Sequence, residues 1–179
     1  LLAGAVGKPC RAFMLYDSAL DEERCLTVRR ALIDGGFEVH ELAVDEGTTI
    51  SMAMASDALA SIEGAGITTE DLLVGVGGTA TCSLASFCAR LWLGGITCAL
   101  VPTTLDAMIA CPTAMEPLAV EGSSDSGVLG ASAVSIKPEV ALVVSDLDWV
   151  RELPVEQNGM GYVLSLIHIS EPTRLGMIS

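Results

Sequence analysis

The stretch Asp71–Thr104, DLLVGVGGTATCSLASFCARLWLGGITCALVPTT, leaves this chain little choice of fold. Leu72–Val76 is an apolar run with the length and composition of a buried strand. Gly77 and Gly78 break it, and small residues from Thr79 lead into a helix-period segment ending at Trp92. Gly94-Gly95 stops that helix, and Ile96–Val101 is a second apolar strand closed by Pro102. Strand, glycine turn, helix, strand is a βαβ unit, for which a right-handed crossover is expected. The turn after the first strand is where such units seat a dinucleotide diphosphate. Glycines let the backbone approach the phosphates, and the helix N-terminus offers N–H groups and a positive dipole end. Gly75-x-Gly77-Gly78 is not G-x-G-x-x-G, and a plain strand-to-helix turn accounts for two glycines nearly as well.

The same alternation runs through the rest of the chain. Arg11–Tyr16 predicts a first strand. Ser18 is placed to cap a helix of about four turns with Asp21, Glu22 and Glu23 near its start and Gly35-Gly36 at its end. Phe37–Leu42 alternates apolar and polar, as a half-exposed or edge-proximal strand does, and puts His40 toward solvent. Ile50–Ile62 is a helix ending at Gly64 and Gly66, with Met52 and Met54 as packing residues. Glu121–Ser135 is Ser/Gly-rich and suits a turn or hairpin near a cleft, and Val140–Val144 is another apolar strand. The fold class is therefore α/β, with a Rossmann-like parallel sheet.

Composition bears on partners. Mean hydropathy is high, +0.56, yet no apolar run reaches the roughly 18 residues of a membrane span. Parallel strands buried on both faces explain the value better. A net charge of −14 leaves no basic stripe for nucleic acid. Bound phosphates would accordingly rely on backbone amides more than on lysines. The six cysteines, Cys10, Cys25, Cys82, Cys88, Cys98 and Cys111, form no C-x-x-C pair. Free core thiols are expected, not disulfides or a metal site, in a soluble cytoplasmic protein that binds neither nucleic acid nor membrane.

The organising stretch resembles the 3-dehydroquinate synthase family, the sugar-phosphate cyclases. That family carries GGGVxGDxxGFxAxxxxRG, a strand, and PTTLLxxxDSSVGGK. Without a gap, Gly77, Gly78, Leu84, Phe87, Ala89, Gly95, Val101, Pro102, Thr103, Thr104 and Leu105 fall in its register. The V-P-T-T-L block at that distance from the glycines is the specific part. The similarity runs from Arg11 to Val163 and implies an NAD-binding α/β domain over residues 1–145. The start of a helical C-terminal domain follows over 146–164, where Asp146 and Leu153-Pro154 resemble the family's exit sequence. Most of that second domain would be missing, the chain being a piece of a longer protein.

The resemblance also implies contacts. Asp17 would meet the adenosine ribose of NAD, its other reading being a loop or capping carboxylate. Asp45 and Glu46 stand in a loop similar to D-G-E-x-x-K, whose lysine position is Ile50 here. Gly77, Gly78 and Thr79 would form the phosphate turn. Thr103 and Thr104 would line the next strand end, or else merely cap the following helix. The implied reaction converts a seven-carbon keto-sugar acid phosphate to 3-dehydroquinate, a shikimate-pathway step. NAD transiently oxidises a ring hydroxyl, phosphate is eliminated, the carbonyl is reduced again, and an aldol step closes the ring. Zinc or cobalt would be held by a Glu and two His of the C-terminal domain, so this chain supplies no metal ligand and its catalytic residues stay unassigned. A homodimer is a further expectation.

Departures from the pattern cluster at charged positions. The third glycine falls at Thr79, the Asp of GGGVxGD at Ser83 and the Arg at Gly94. In DSSVGGK the Asp falls at Ala110, the serines at Cys111 and Pro112, the glycines at Ala114 and Met115, and the Lys at Glu116. A carboxylate repels a phosphate that a lysine would attract. The isolated chain is therefore expected to be inactive, and two other readings stay open. One is a metal- and NAD-dependent glycerol or alcohol dehydrogenase, which usually carries G-G-G-S-x-x-D-x-A-K. Ser83-Leu84-Ala85 and the absence of lysine between Lys8 and Lys137 count against it. The other is a non-catalytic binding domain. Gly161 matches the glycine of the family's G-x-A-E-x-x-K, but its metal-binding Glu falls at Leu164. Ser165–Ser179 continues nothing in the family and is similar to translated sequencing-adapter DNA, so His168, Glu171 and Arg174 carry no functional weight.

Overall fold

A computed structural model describes residues 11–45, 50–112, 118–120 and 132–153. The readings on Lys8, Cys10, Glu46, Ala114, Met115, Glu116, Gly161, Leu164 and Ser165–Ser179 lie outside these residues.

Strands β1 (Arg11–Asp17), β2 (Glu38–Val44), β3 (Leu72–Gly77), β4 (Thr97–Pro102) and β7 (Leu142–Val143) form one sheet in the order β2-β1-β3-β4-β7. Every pairing in it is parallel. Side chains alternate across a strand, which sorts the strand residues between two faces. Phe13, Leu15, Leu73, Cys98 and Leu100 join one core with Ala55, Ala58 and Ile62 of helix α2 (Met52–Gly64) and Leu84, Phe87 and Cys88 of helix α3 (Thr79–Leu91). Met14, Leu72, Val74, Val76, Ala99 and Val101 join the other with Val28 and Leu32 of helix α1 (Glu22–Asp34). Covering both faces is what makes these strands near-continuous apolar runs. Burying each large side chain such as Phe87 or Leu73 contributes about 1.5–3 kcal/mol.

The chain adds β2 on one side of β1, then reverses and adds β3 and β4 on the other. Helix α1 therefore packs on the face opposite α2 and α3, as a single crossover hand requires. The reversal between β1 and β3 is the switch point at which open α/β sheets offer a crevice.

Local chemistry sets the element ends. Ser18 does not cap α1. Its amide donates to the Val44 carbonyl at 2.8 Å, and the helix starts after Asp21, with Glu22 and Glu23 in its first turn. Ser51 caps α2 by accepting from the Met54 amide at 3.3 Å, and Met52 and Met54 pack against the core. Helix α3 ends at Leu91, one residue short of the predicted end, and Trp92–Gly94 forms a 3-10 turn. The Trp92 Nε1 donates to the Ile67 carbonyl at 3.0 Å, which draws the ring inward and takes it out of the helix. Asp71, 2% exposed, accepts from the Arg11 amide at 2.9 Å and from the Thr68 amide and hydroxyl at 2.7 and 2.8 Å. It fixes the N-terminal ends of β1 and β3 side by side.

β2 lies at the sheet edge, in keeping with its alternating sequence, and the half-exposed His40 lies 3.6 Å from Glu38. β5 (Leu118–Ala119) and β6 (Ser132–Val134) form an antiparallel pair; of the Ser/Gly-rich segment, residues 121–131 lie outside the described residues. The predicted strand Val140–Val144 pairs only at β7, Leu142–Val143. Helix α4 (Leu105–Ala110) follows β4, and helix α5 (Leu147–Arg151) follows β7. Trp149 of α5 packs in the second core, 5.4 Å from the Arg24 guanidinium, and Arg24 pairs with Glu152 at 2.6 Å. Cys25, Cys82, Cys88, Cys98 and Cys111 are free thiols, the last four buried.

Candidate functional site

Parallel register brings the strand ends level: Asp17 pairs with Val44, and Gly77 with Pro102. Asp17, Asp45, Gly77, Gly78, Thr79, Thr103 and Thr104 are thus gathered along one edge of the sheet, the edge that carries the switch point.

Two glycines have distinct reasons. A Cβ on Gly75 would lie 2.6 Å from the Ala85 Cβ and 3.1 Å from the Leu100 Cδ2, so glycine lets α3 lie against β3. A Cβ on Gly77, whose φ is +157°, would lie 2.9 Å from the Thr81 Cβ and 3.1 Å from the Asp17 Cβ. That is a close approach of β1, β3 and α3 at the switch point itself. Gly78 follows as the N-cap of α3, extended at φ −78°, itself without a side chain, and the first turn of the helix carries no acid.

The turn is tied to its neighbours. The Gly77 carbonyl accepts from the Thr103 amide at 2.9 Å and from the Cys82 thiol at 3.5 Å. Thr103 is 4% exposed and belongs to the strand-end layer. The Thr104 hydroxyl accepts from the Ala107 amide at 3.4 Å and caps α4. Asp17 also caps locally, its Oδ1 accepting from the Ala19 amide at 2.8 Å. The Thr79 hydroxyl donates to Asp106 Oδ2 at 2.7 Å, joining the first residue of α3 to the first turn of α4.

Sequence reasoning passed over Asp106 and read Cys82 only as a core thiol. An acid in the first turn of a helix is ordinary, and the available signal was its position directly after T-T-L. Ser83, in the family's Asp position, is buried within α3 at 1% exposure. Asp17, Asp45 and Asp106 make this edge acidic, and none of residues 17–19, 44–45, 77–79 or 102–106 is basic. Among the described residues no three His, Cys, Asp or Glu side chains converge as metal ligands would.

Two cavities bear on ligand binding. One of about 370 Å³, lined by Leu42, Val44, Asp45, Met54, Asp57 and Leu84, adjoins the end of β2. A larger one of about 520 Å³ lies at the opposite edge, where Arg90, Gly94, Gly95 and Thr97 face Glu139 and Ala141. There Arg90 and Glu139 pair with each other and satisfy one another's charge.

A parallel sheet covered on both faces, with its glycine turn at the switch point, defines a Rossmann-like α/β domain of the doubly wound class. Sequence similarity then narrows the class. Residues 41–157 match the 3-dehydroquinate synthase N-terminal family, and the chain belongs to that family.

A 3-dehydroquinate synthase of Thermobifida fusca is 34% identical over 99% of the chain. The alignment covers 47% of that enzyme, so the chain spans about half the length of such relatives. Among solved structures, 2-deoxy-scyllo-inosose synthase complexed with carbaglucose-6-phosphate, NAD+ and Co2+ aligns with a TM-score of 0.71 at 19% identity, over 86% of this chain and 40% of that one. A 2-epi-5-epi-valiolone synthase of Streptomyces hygroscopicus, with NAD+ and Zn2+ bound, gives 0.72 at 16% identity, over 90% and 43%. A 1,3-propanediol oxidoreductase gives 0.71 at 17% identity, over 95% and 46%. At 16–19% identity these likenesses speak to the fold alone.

Proposed function

We propose that this chain is the NAD-binding part of a sugar-phosphate cyclase of the 3-dehydroquinate synthase kind. The observation that carries the reading is Gly77, wedged without a Cβ between Asp17 and Thr81 where β1 and β3 diverge, directly before the start of α3. A diphosphate there would take its hydrogen bonds from backbone amides at the Gly77–Thr79 turn and benefit from the helix dipole. Asp17 and Asp45 would serve as acceptors for ribose hydroxyls, with Glu46 in the same loop, and Thr103 and Thr104 would flank the cofactor on the β4 side. Bound NAD would supply reversible hydride transfer at a substrate hydroxyl; this chain's own residues hold and orient it. The substrate would be a phosphorylated keto-sugar acid. By family resemblance, the divalent metal would be held by a second domain beginning near Asp146. The setting would be cytoplasmic, and the assembly a homodimer.

The alternative, a metal- and NAD-dependent glycerol or alcohol dehydrogenase, has the same kind of fold. What favours the cyclase is the family match and the V-P-T-T-L block, which are sequence features. The test is an NAD titration of the chain beside Gly78→Val. The backbone at Gly78 suits any residue, so valine changes the space before the turn and not its path. NAD affinity should fall at least tenfold, and an unchanged titration would place the cofactor elsewhere.

A further inference from the structure

Resting on the reading that a cofactor diphosphate lies at the Gly77–Gly78 turn, we infer that Asp106 is a specificity-determining residue of that site, weakening its hold on the anionic cofactor. Thr79 is the first residue of α3, and Asp106, 27 positions later, lies in the first turn of α4. Their hydroxyl and carboxylate meet at 2.7 Å, both residues half-buried. Neither residue belongs to the pattern that the surrounding stretch follows. Thr79 stands where GGGVxGD has its third glycine, and Asp106 where PTTLL has its second leucine. A glycine would have no hydroxyl to give and a leucine no oxygen to accept, so the two departures make sense together.

The result is a carboxylate held within hydrogen-bond reach of the residue that opens α3. The N-terminal end of a helix favours negative charge, and Asp106 places a carboxylate there. A diphosphate approaching the same end meets a like charge at short range, and no basic residue at the four strand ends offsets it. Asp106 also lies in the first turn of α4, which explains an acid at that position but not a hydroxyl from α3 directed onto it. The Cys111 thiol, donating to the Thr79 carbonyl at 3.9 Å, ties the far end of α4 to the same residue. The carboxylate is therefore a fixed part of the mouth and not a mobile surface acid.

Asp106→Asn keeps an acceptor for Thr79 and removes the charge. NAD and ADP should then bind about tenfold more tightly at low salt. The gain should shrink at 1 M salt, where the screening length is about 3 Å. Uncharged adenosine should gain nothing. Asp106→Ala should show the same selectivity and replaces the asparagine variant if that one does not fold. An NAD affinity within twofold of the parent, or an equal gain for adenosine, overturns the inference while the binding site stands. If Gly78→Val binds NAD like the parent, or no form binds NAD, the site reading itself falls and the inference with it.

Discussion

Cys88 and Cys98 are 0% and 1% exposed, in the core between the sheet and α3. Burial pushes both thiols up from 9.0 to about 12, Cys98 with a further contribution from Cys88. Burial disfavours the thiolate, so at neutral pH these groups are small apolar fillers and not nucleophiles. The linkage has a definite sign. An unfolded chain releases these protons near pH 9 and the folded one only near pH 12, so the stability they contribute is whole below pH 9 and is lost as pH rises through that window. Urea unfolding from pH 8 to 11 should show stability falling above pH 9, and a Cys88→Ala/Cys98→Ala variant should fall less steeply. Parallel curves for the two proteins would mean that these thiols reach solvent in the folded state.

At the scale of elements, the contact between β3 and α3 decides where the glycine turn sits. Gly75→Ala places a methyl 2.6 Å from the Ala85 Cβ, and such overpacking costs about 1–3 kcal/mol. Ala85→Gly alone should cost up to about 1 kcal/mol through helix propensity. Combined, the two should cost less than their sum, because the second removes the atom the first collides with. Additive losses in denaturant unfolding would contradict this packing.

Much of this was legible beforehand. The apolar runs at Leu72–Val76 and Ile96–Val101, broken by paired glycines, admit few arrangements besides a βαβ unit, and the alternating Phe37–Leu42 is the edge strand. What could not be read depends on distance along the chain. Thr79 and Asp106 meet only because the crossover returns the chain to the neighbouring strand. The start of α1 lies after Asp21 and not at Ser18, whose amide bonds the Val44 carbonyl on the neighbouring strand β2. Local capping rules do not see such a partner. Thr104 was open to two readings because a strand-end hydroxyl and a helix cap have the same sequence signature.

Over the whole molecule, the acidic character of the chain and the geometry of its sheet lead to one account. With a net charge of −14, the domain would take an anionic cofactor through backbone amides at one helix end, against carboxylates that oppose it. Among the described residues no helix is long and apolar enough to cross a membrane. The two edges of the sheet offer rival places for a ligand: the glycine turn at the switch point, and the 520 Å³ cavity beside Arg90 and Glu139. The most direct discrimination is a ¹H–¹⁵N amide spectrum of the chain titrated with NAD. Saturable shifts confined to Asp17–Ala19, Asp45, Gly77–Thr81 and Thr103–Asp106 are the predicted result. Shifts at Arg90, Gly94–Thr97 and Glu139–Ala141, with the glycine turn unmoved, would contradict it.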